Sequence, residues 1–157
     1  HMPSGTRVLG FEPNTLFHDE ALRRAEEHGI GLDLRAGDLR DAGLDDGSVE
    51  AVVSTLVLCS VDRPADALRE IRRVLRPGGR LVFIEHVGVH GVDGPSFYQR
   101  LWRRPWAAFA DGCDTCAATD RLIEEAGFRV DESHRDRFGP RLDPTSPAVW
   151  GLAMKPG

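Results

Sequence analysis

Residues 48–87, SVEAVVSTLVLCSVDRPADALREIRRVLRPGGRLVFIEHV, read as a strand, a helix and a second strand. The apolar run at 49–53 ends in a polar tip, Ser54 and Thr55, and then an apolar bend at 56–61. A buried parallel strand has this form where it delivers a loop to the open end of a sheet. Asp62 is expected to cap the helix that follows, with Pro64 in its first turn, where a missing amide costs no hydrogen bond. Leu68, Ile71 and Leu75 share one face, and Arg69, Arg72 and Arg73 leave it. Arg76-Pro77-Gly78-Gly79 should stop the helix, and residues 80–85 form the next buried strand. A strand, helix, strand unit of this kind closes by a right-handed crossover into a parallel sheet.

Upstream, residues 6–11 form a short apolar strand ending at Glu12-Pro13, after which Asn14 or Thr15 caps a helix that Gly29 ends. An acid at the tip of a parallel strand, ahead of a helix, is placed to accept hydrogen bonds from the ribose hydroxyls of a nucleotide-like cofactor. A second strand at 32–36 leads to Gly37-Asp38-Leu39 and a turn at 45–48. The repeated order predicts a doubly wound, mostly parallel α/β sheet, whose ligands bind beyond the carboxyl ends of the strands. Glu12, Asp38, Ser54, Thr55, Leu56, Glu85 and His86 all fall at those ends.

Downstream, residues 88–95 read as a glycine-rich loop, and 96–110 as a helix broken near Pro105. Trp102, Trp106 and Phe109 share a helical face. Core packing is its first reading, a lid over an apolar substrate the second, and membrane-surface contact the third. A helix from Thr119 or Asp120 should end at Gly127, and strands at 128–133 and 148–154 should pair as an antiparallel hairpin.

The chain has 157 residues, 41% of them apolar, enough for one domain over residues 1–157. His1-Met2 reads as an expression scar. No run reaches the length of a membrane span and no signal peptide is visible, so a soluble, cytoplasmic protein is expected. The net charge of −5 argues against nucleic acid as a partner, although Arg100, Arg103 and Arg104 leave room for a small anion. Three cysteines fit a reducing compartment. Cys59 reads as an inert packed thiol. Cys113 and Cys116 form a C-x-x-C ahead of a helix whose dipole could lower a thiol pKa. With no second pair to complete a ligand set, no metal site is expected.

The segments DDGSVEAVV, VVSTLVLCSV and ALREIRRVLRPGGRLVFIEHV resemble the downstream half of a class I S-adenosylmethionine-dependent methyltransferase. LVLCSV, EHV and the later FADGC most resemble the thiol S-methyltransferase-like branch. The hydrophobic anchor of the animal enzymes is not seen, so membrane attachment is not implied. The resemblance implies a Rossmann-like fold that binds S-adenosylmethionine and methylates a small acceptor, possibly a thiol or another lipophilic molecule. It places Glu12 on the ribose hydroxyls, with Pro13 and Asn14 shaping the wall beside it. Asp38 would take the adenine amino group, the Leu39 amide the ring edge, and Ser54, Thr55 and Leu56 the methionine end. Glu85, His86 and Asp111 are the candidate bases. Strand alternation puts Glu85 and His86 on opposite faces, so at most one points into the site.

The chain departs from the family by starting after its first strand and glycine-rich turn, and so reads as N-terminally truncated. Glycines there let a backbone approach the methionine moiety closely. The first strand would lie between residues 6–11 and 49–53, and its loss calls either for direct pairing of its neighbours or for a homodimer joined at an open edge. The alternatives to a methyltransferase are a catalytically impaired, methyltransferase-like ligand-binding or dimeric protein, and a redox protein using Cys113 and Cys116.

Overall fold

The computed structural model describes residues 3, 5–91, 94–140 and 142–157. His1 and Met2, and part of the expected loop at 88–95, lie outside the described residues. The chain divides into two compact units, the first ending at Gly43 and the second running Leu44–Gly157.

In the first unit β1 (Arg7–Phe11) and β2 (Gly31–Arg35) pair in parallel, from Arg7 opposite Gly31 to Phe11 opposite Arg35. A 3₁₀ turn (Thr15–Phe17) and α1 (His18–Glu27) connect them. Of the two candidate caps, Asn14 takes the role: its Oδ1 accepts from the Leu16 amide at 3.1 Å. Helix α1 buries no residue, and Arg23 ties its exposed face together by pairing with Glu20 and Glu27. Spacings of three and four put such partners one turn apart.

The second unit is built on a four-stranded sheet in the order β3-β4-β8-β7: β3 (Val49–Thr55), β4 (Leu75–His86), β7 (Arg129–Arg137) and β8 (Pro147–Met154). The β3–β4 pair is parallel, and β8 runs antiparallel to both β4 and β7. This is the expected α/β, Rossmann-like arrangement with an antiparallel C-terminal hairpin. Helix α2 (Pro64–Val74) crosses between β3 and β4 and buries Ala67, Leu68, Ile71 and Val74. These close onto a core that includes Leu75, Leu81, Phe83, Ile123 and Val149. Asp62 does not cap α2. With Pro64 as its first residue the cap position falls on Arg63, which makes no side-chain cap bond. Asp62 lies one residue too early.

The helix stops at Val74, as the Arg76-Pro77-Gly78-Gly79 run implies, but β4 begins at once with Leu75. Its register jumps from Val49 opposite Leu75 to Ala51 opposite Arg80, so the Pro-Gly-Gly run bulges out of the ladder. Beyond it Leu81, Phe83 and Glu85 face the core, while Val82 and Ile84 face outward with Val53 of β3, all three well exposed. Among the described residues β4 is the only strand paired with β3. In β8, Gly151 is required by space: a Cβ there would lie 2.0 Å from the Glu132 carbonyl oxygen.

Three expectations for the downstream half need correction. Within residues 88–95, β5 (His90–Gly91) and β6 (Gly94–Pro95) pair as a short hairpin. Helix α3 (Phe97–Phe109) runs unbroken through Pro105. The proline lies on an exposed stretch, where water can satisfy the carbonyl one turn earlier that has lost its amide partner. The aromatic face is not core either. Among the described residues Gln99 is the only buried one of α3, Trp102 is well exposed and Phe109 is 89% exposed. Helix α4 (Thr119–Glu125) follows, buried through Thr119 and Ile123.

Candidate functional site

The parallel pair of the first unit brings two acids to one end of its sheet. Glu12 follows the last residue of β1, and Asp38 follows β2 by three positions. The Glu12 amide donates to the Arg35 carbonyl at 3.1 Å, which extends the ladder by one bond and fixes where the carboxylate starts. Its Oε1 accepts from the Asn14 amide at 2.8 Å, and its carbonyl lies 2.8 Å from His18 Nε2. Among the described residues no bond is made to Oε2, so a half-buried carboxylate is oriented and keeps one oxygen for a hydroxyl pair. That fits the ribose role. Pro13 is exposed beside it, with Asn14 half-buried.

Asp38 is arranged differently. It caps the 3₁₀ turn Leu39–Asp41, its Oδ1 accepting from the Arg40 amide at 2.9 Å and from Arg40 Nε at 3.0 Å, and its Oδ2 from Arg40 Nη2 at 2.7 Å. The guanidinium holds the Asp38 carboxyl below its ordinary range. Oδ1 thus accepts two bonds and Oδ2 one, so the capacity to accept a further donor lies on Oδ2. Leu39 opens the turn, and an amide in that position has no partner within the turn itself.

In the second unit Thr55 of β3 stands opposite Ile84 of β4, so the polar tip of one strand and Glu85-His86 of the next meet at the same end. Glu85 is 0% exposed. Its Oε1 accepts from Ser54 Oγ at 2.6 Å and the Val57 amide at 3.3 Å, and its Oε2 from the Cys59 amide at 3.1 Å. A buried carboxylate is sustained by such donors. Here they fasten the loop after β3 to the end of β4. Leu56 sits within that loop at φ 57°, with its amide donating to the Ile84 carbonyl at 2.8 Å. A branched side chain in the left-handed region is strained, and such strain persists only where neighbours impose it. Thr55 and Leu56 are exposed, whereas Ser54 is buried.

The same loop carries Cys59 to His86. Cys59 Sγ lies 3.8 Å from His86 Nδ1, Cys113 Sγ lies 3.3 Å from it, and the two sulfurs are 4.0 Å apart. Both cysteines are buried and His86 is half-buried. The turn after α3 delivers Cys113 through Asp111 at φ 50° and Gly112 at φ 85°. A Cβ on Gly112 would lie 2.8 Å from the Ser60 carbonyl oxygen, so only glycine allows this approach. The Asp114 amide then donates to the Cys59 carbonyl at 2.8 Å, lacing the two loops together. The hydrogen bond to Cys113, with burial, pushes the Cys59 thiol up; the same contact lowers Cys113.

Cys113 therefore meets Cys59 and His86, and Cys116 lies outside that group. Burial pushes the Cys116 thiol up, the reverse of the expected helix-dipole effect. Asp111 is exposed on its turn. Arg103 of the basic cluster is committed to Asp114, with Nε and Nη2 at 2.8 and 2.7 Å from the two carboxylate oxygens. The cysteine–histidine cluster is the grouping that sequence reasoning missed. Its signal was present: Cys59 follows β3 by four positions, His86 is the last residue of the parallel neighbour β4, and Cys113 lies in the FADGC segment.

The family described as methyltransferase domain matches residues 2–83. Human thiol S-methyltransferase TMT1B is 36% identical over 98% of the chain, and human thiol S-methyltransferase TMT1A is 32% identical over 98%. The chain spans 64% of the length of each. Among solved structures, geranyl diphosphate C-methyltransferase from Streptomyces coelicolor A3(2) aligns with a TM-score of 0.73 at 20% identity, covering 96% of this chain and 63% of that one. That likeness is one of fold. Among the described residues no helix is long and apolar enough to cross a membrane.

Proposed function

The chain belongs to the class I S-adenosylmethionine-dependent methyltransferase family, and from that premise we propose that it methylates a small, lipophilic thiol. The observation that carries the thiol reading is the similarity to two thiol S-methyltransferases across 98% of the chain. We assign the cofactor's adenosine side to the first unit, with Glu12 on the ribose, Pro13 and Asn14 beside it, and Asp38 and the Leu39 amide on the adenine. Ser54, Thr55 and Leu56 are assigned to the methionine end. One methyltransferase-like domain drawn from both units is part of the proposal, supported by a family match that runs across the division at Gly43.

Bound S-adenosylmethionine supplies a methyl group activated by its sulfonium. What remains for the protein is to align the acceptor sulfur, exclude water and take up a proton. A thiol needs little help, since a few per cent is already thiolate at neutral pH. Of the three candidate bases, Glu85 is given a positioning role, because its oxygens are occupied by Ser54, Val57 and Cys59. His86 is the proton acceptor, and Asp111 is the second candidate. The exposed aromatic face of α3 supplies apolar contact for the acceptor.

Among the described residues β3 pairs on one side alone, which supports a homodimer, since unpaired strand edges template association. Light scattering at micromolar concentration should give twice the chain mass; a monomer mass contradicts the dimer alone. A cytoplasmic location is proposed as well. The function is tested by incubating the full chain with S-adenosylmethionine and a small alkyl thiol, alongside the matching alcohol and amine. S-methyl product from the thiol alone is expected. Methylation of the alcohol or amine instead would overturn the thiol assignment.

A further inference from the structure

The geometry points to a zinc site formed by Cys59, His86 and Cys113. Sγ of Cys59, Nδ1 of His86 and Sγ of Cys113 all lie within 4.8 Å of one another. Zinc bonds of about 2.3 Å to sulfur and about 2.0–2.1 Å to nitrogen require sulfurs about 3.8–4.0 Å apart and sulfur–nitrogen separations of about 3.6–3.8 Å. The sulfur–sulfur edge of 4.0 Å and the Cys59–His86 edge of 3.8 Å fall in these ranges, and the Cys113–His86 edge of 3.3 Å is shorter, so that pair would part by about 0.3 Å on loading. Two thiolates and an imidazole form a soft to borderline donor set that suits zinc and disfavours magnesium or calcium. Within the ligand set itself, two thiolates balance the charge of a divalent cation, so the buried cluster gains no excess positive charge on loading.

The cluster is held from outside. Glu85 fixes the Cys59 amide, Asp114 bonds the Cys59 carbonyl, and Gly112 brings its turn against Ser60. Three segments distant in sequence are thus arranged before any metal arrives. That is what a binding site needs, since a site formed on binding would lose affinity to ordering. Cys116, the second cysteine of the C-x-x-C spacing, is not one of the ligands. On loading, each cysteine thiol releases its proton to buffer as a zinc–sulfur bond forms, and neutral His86 binds through Nδ1.

Three protein ligands leave a fourth position open, the pattern of reactive rather than structural zinc. Water fills it at rest. On the methyl-transfer reading above, the acceptor thiol would displace that water, its proton passing to solvent as a zinc–sulfur bond replaces the zinc–oxygen bond. His86 is then a ligand and no longer the proton acceptor.

The test uses the reduced full chain, with neither methyl donor nor acceptor, loaded with zinc alone and passed through gel filtration. One zinc per chain is expected, and cobalt in its place should give an intense thiolate-to-metal charge-transfer absorption. Cys113→Ser and Cys59→Ser should fall to background, and Cys116→Ser should retain the metal. Wild-type chain that retains no zinc, or lacks the cobalt charge-transfer band, overturns the site whether or not the variants fold. Equal zinc in a folded Cys113→Ser chain overturns it too. If zinc binds and the thiol assay fails, the methyl-transfer reading falls and the metal site stands.

Discussion

Glu85 Oε2 accepts a hydrogen bond from the Cys59 amide at 3.1 Å, joining the end of β4 to the loop that follows β3. Because Glu85 is fully buried, its replacement leaves donors without an acceptor in the core. Glu85→Gln should destabilise the chain by about 1–3 kcal/mol, read as a shift in urea midpoint. A change within about 0.5 kcal/mol, as for a surface position, would remove the carboxylate from the loop's support.

Leu56 is held in the left-handed region, which costs a residue with a Cβ about 1–2 kcal/mol. Glycine removes that cost and adds about 0.5–1 kcal/mol of backbone entropy. Leu56→Gly should therefore unfold at the wild-type midpoint or slightly above it, while methyl transfer falls because the loop is no longer held in one shape. A clear loss of stability, or full activity, would show that the strain serves no purpose in the site.

The exposed aromatic face of α3 separates packing from binding. Phe109→Ser should leave stability within about 0.5 kcal/mol, because the ring is 89% exposed. If this face contacts the acceptor, KM should rise for long-chain thiols and hold for short ones. Equal KM changes for both would detach α3 from acceptor binding.

Glu70 and Arg73 of α2 form a pair that also engages Asp46 and the Leu44 carbonyl. The Arg73 hydrogen bond lowers the Glu70 carboxyl below its ordinary 4.5, with Asp46 opposing the shift. A lowered folded-state pKa contributes stability that is complete above the unfolded value and is lost as pH falls through the folded one. The stability difference between wild type and Glu70→Gln should thus hold from neutral pH to about pH 5 and shrink below 4.5. A difference that grows on acidification would reverse the assignment.

Much of this architecture was legible before any coordinates. The periodicity of Leu68 and Ile71, the Pro-Gly-Gly stop and the alternation along β4 are local patterns, and local physics enforces them. The unbroken course of α3 past Pro105 was not legible, because it depends on whether that face meets water. Nor was the burial of Glu85, which reads identically to a reactive acid at a strand tip. Cys113 contacts Cys59 across 54 positions through the fit of Gly112 against Ser60. No spacing rule carries that pairing, and the adjacent Cys116 offered a false partner.

Glu12, oriented by the Asn14 amide and with Oε2 unbonded among the described residues, is assigned to anchor an adenosyl cofactor. Isothermal titration of the full chain with S-adenosylhomocysteine tests it most directly. Wild type should give saturable heat, and Glu12→Gln at least a tenfold weaker affinity, about 1.4 kcal/mol. No heat at millimolar ligand, or equal affinity in the two proteins, would contradict it.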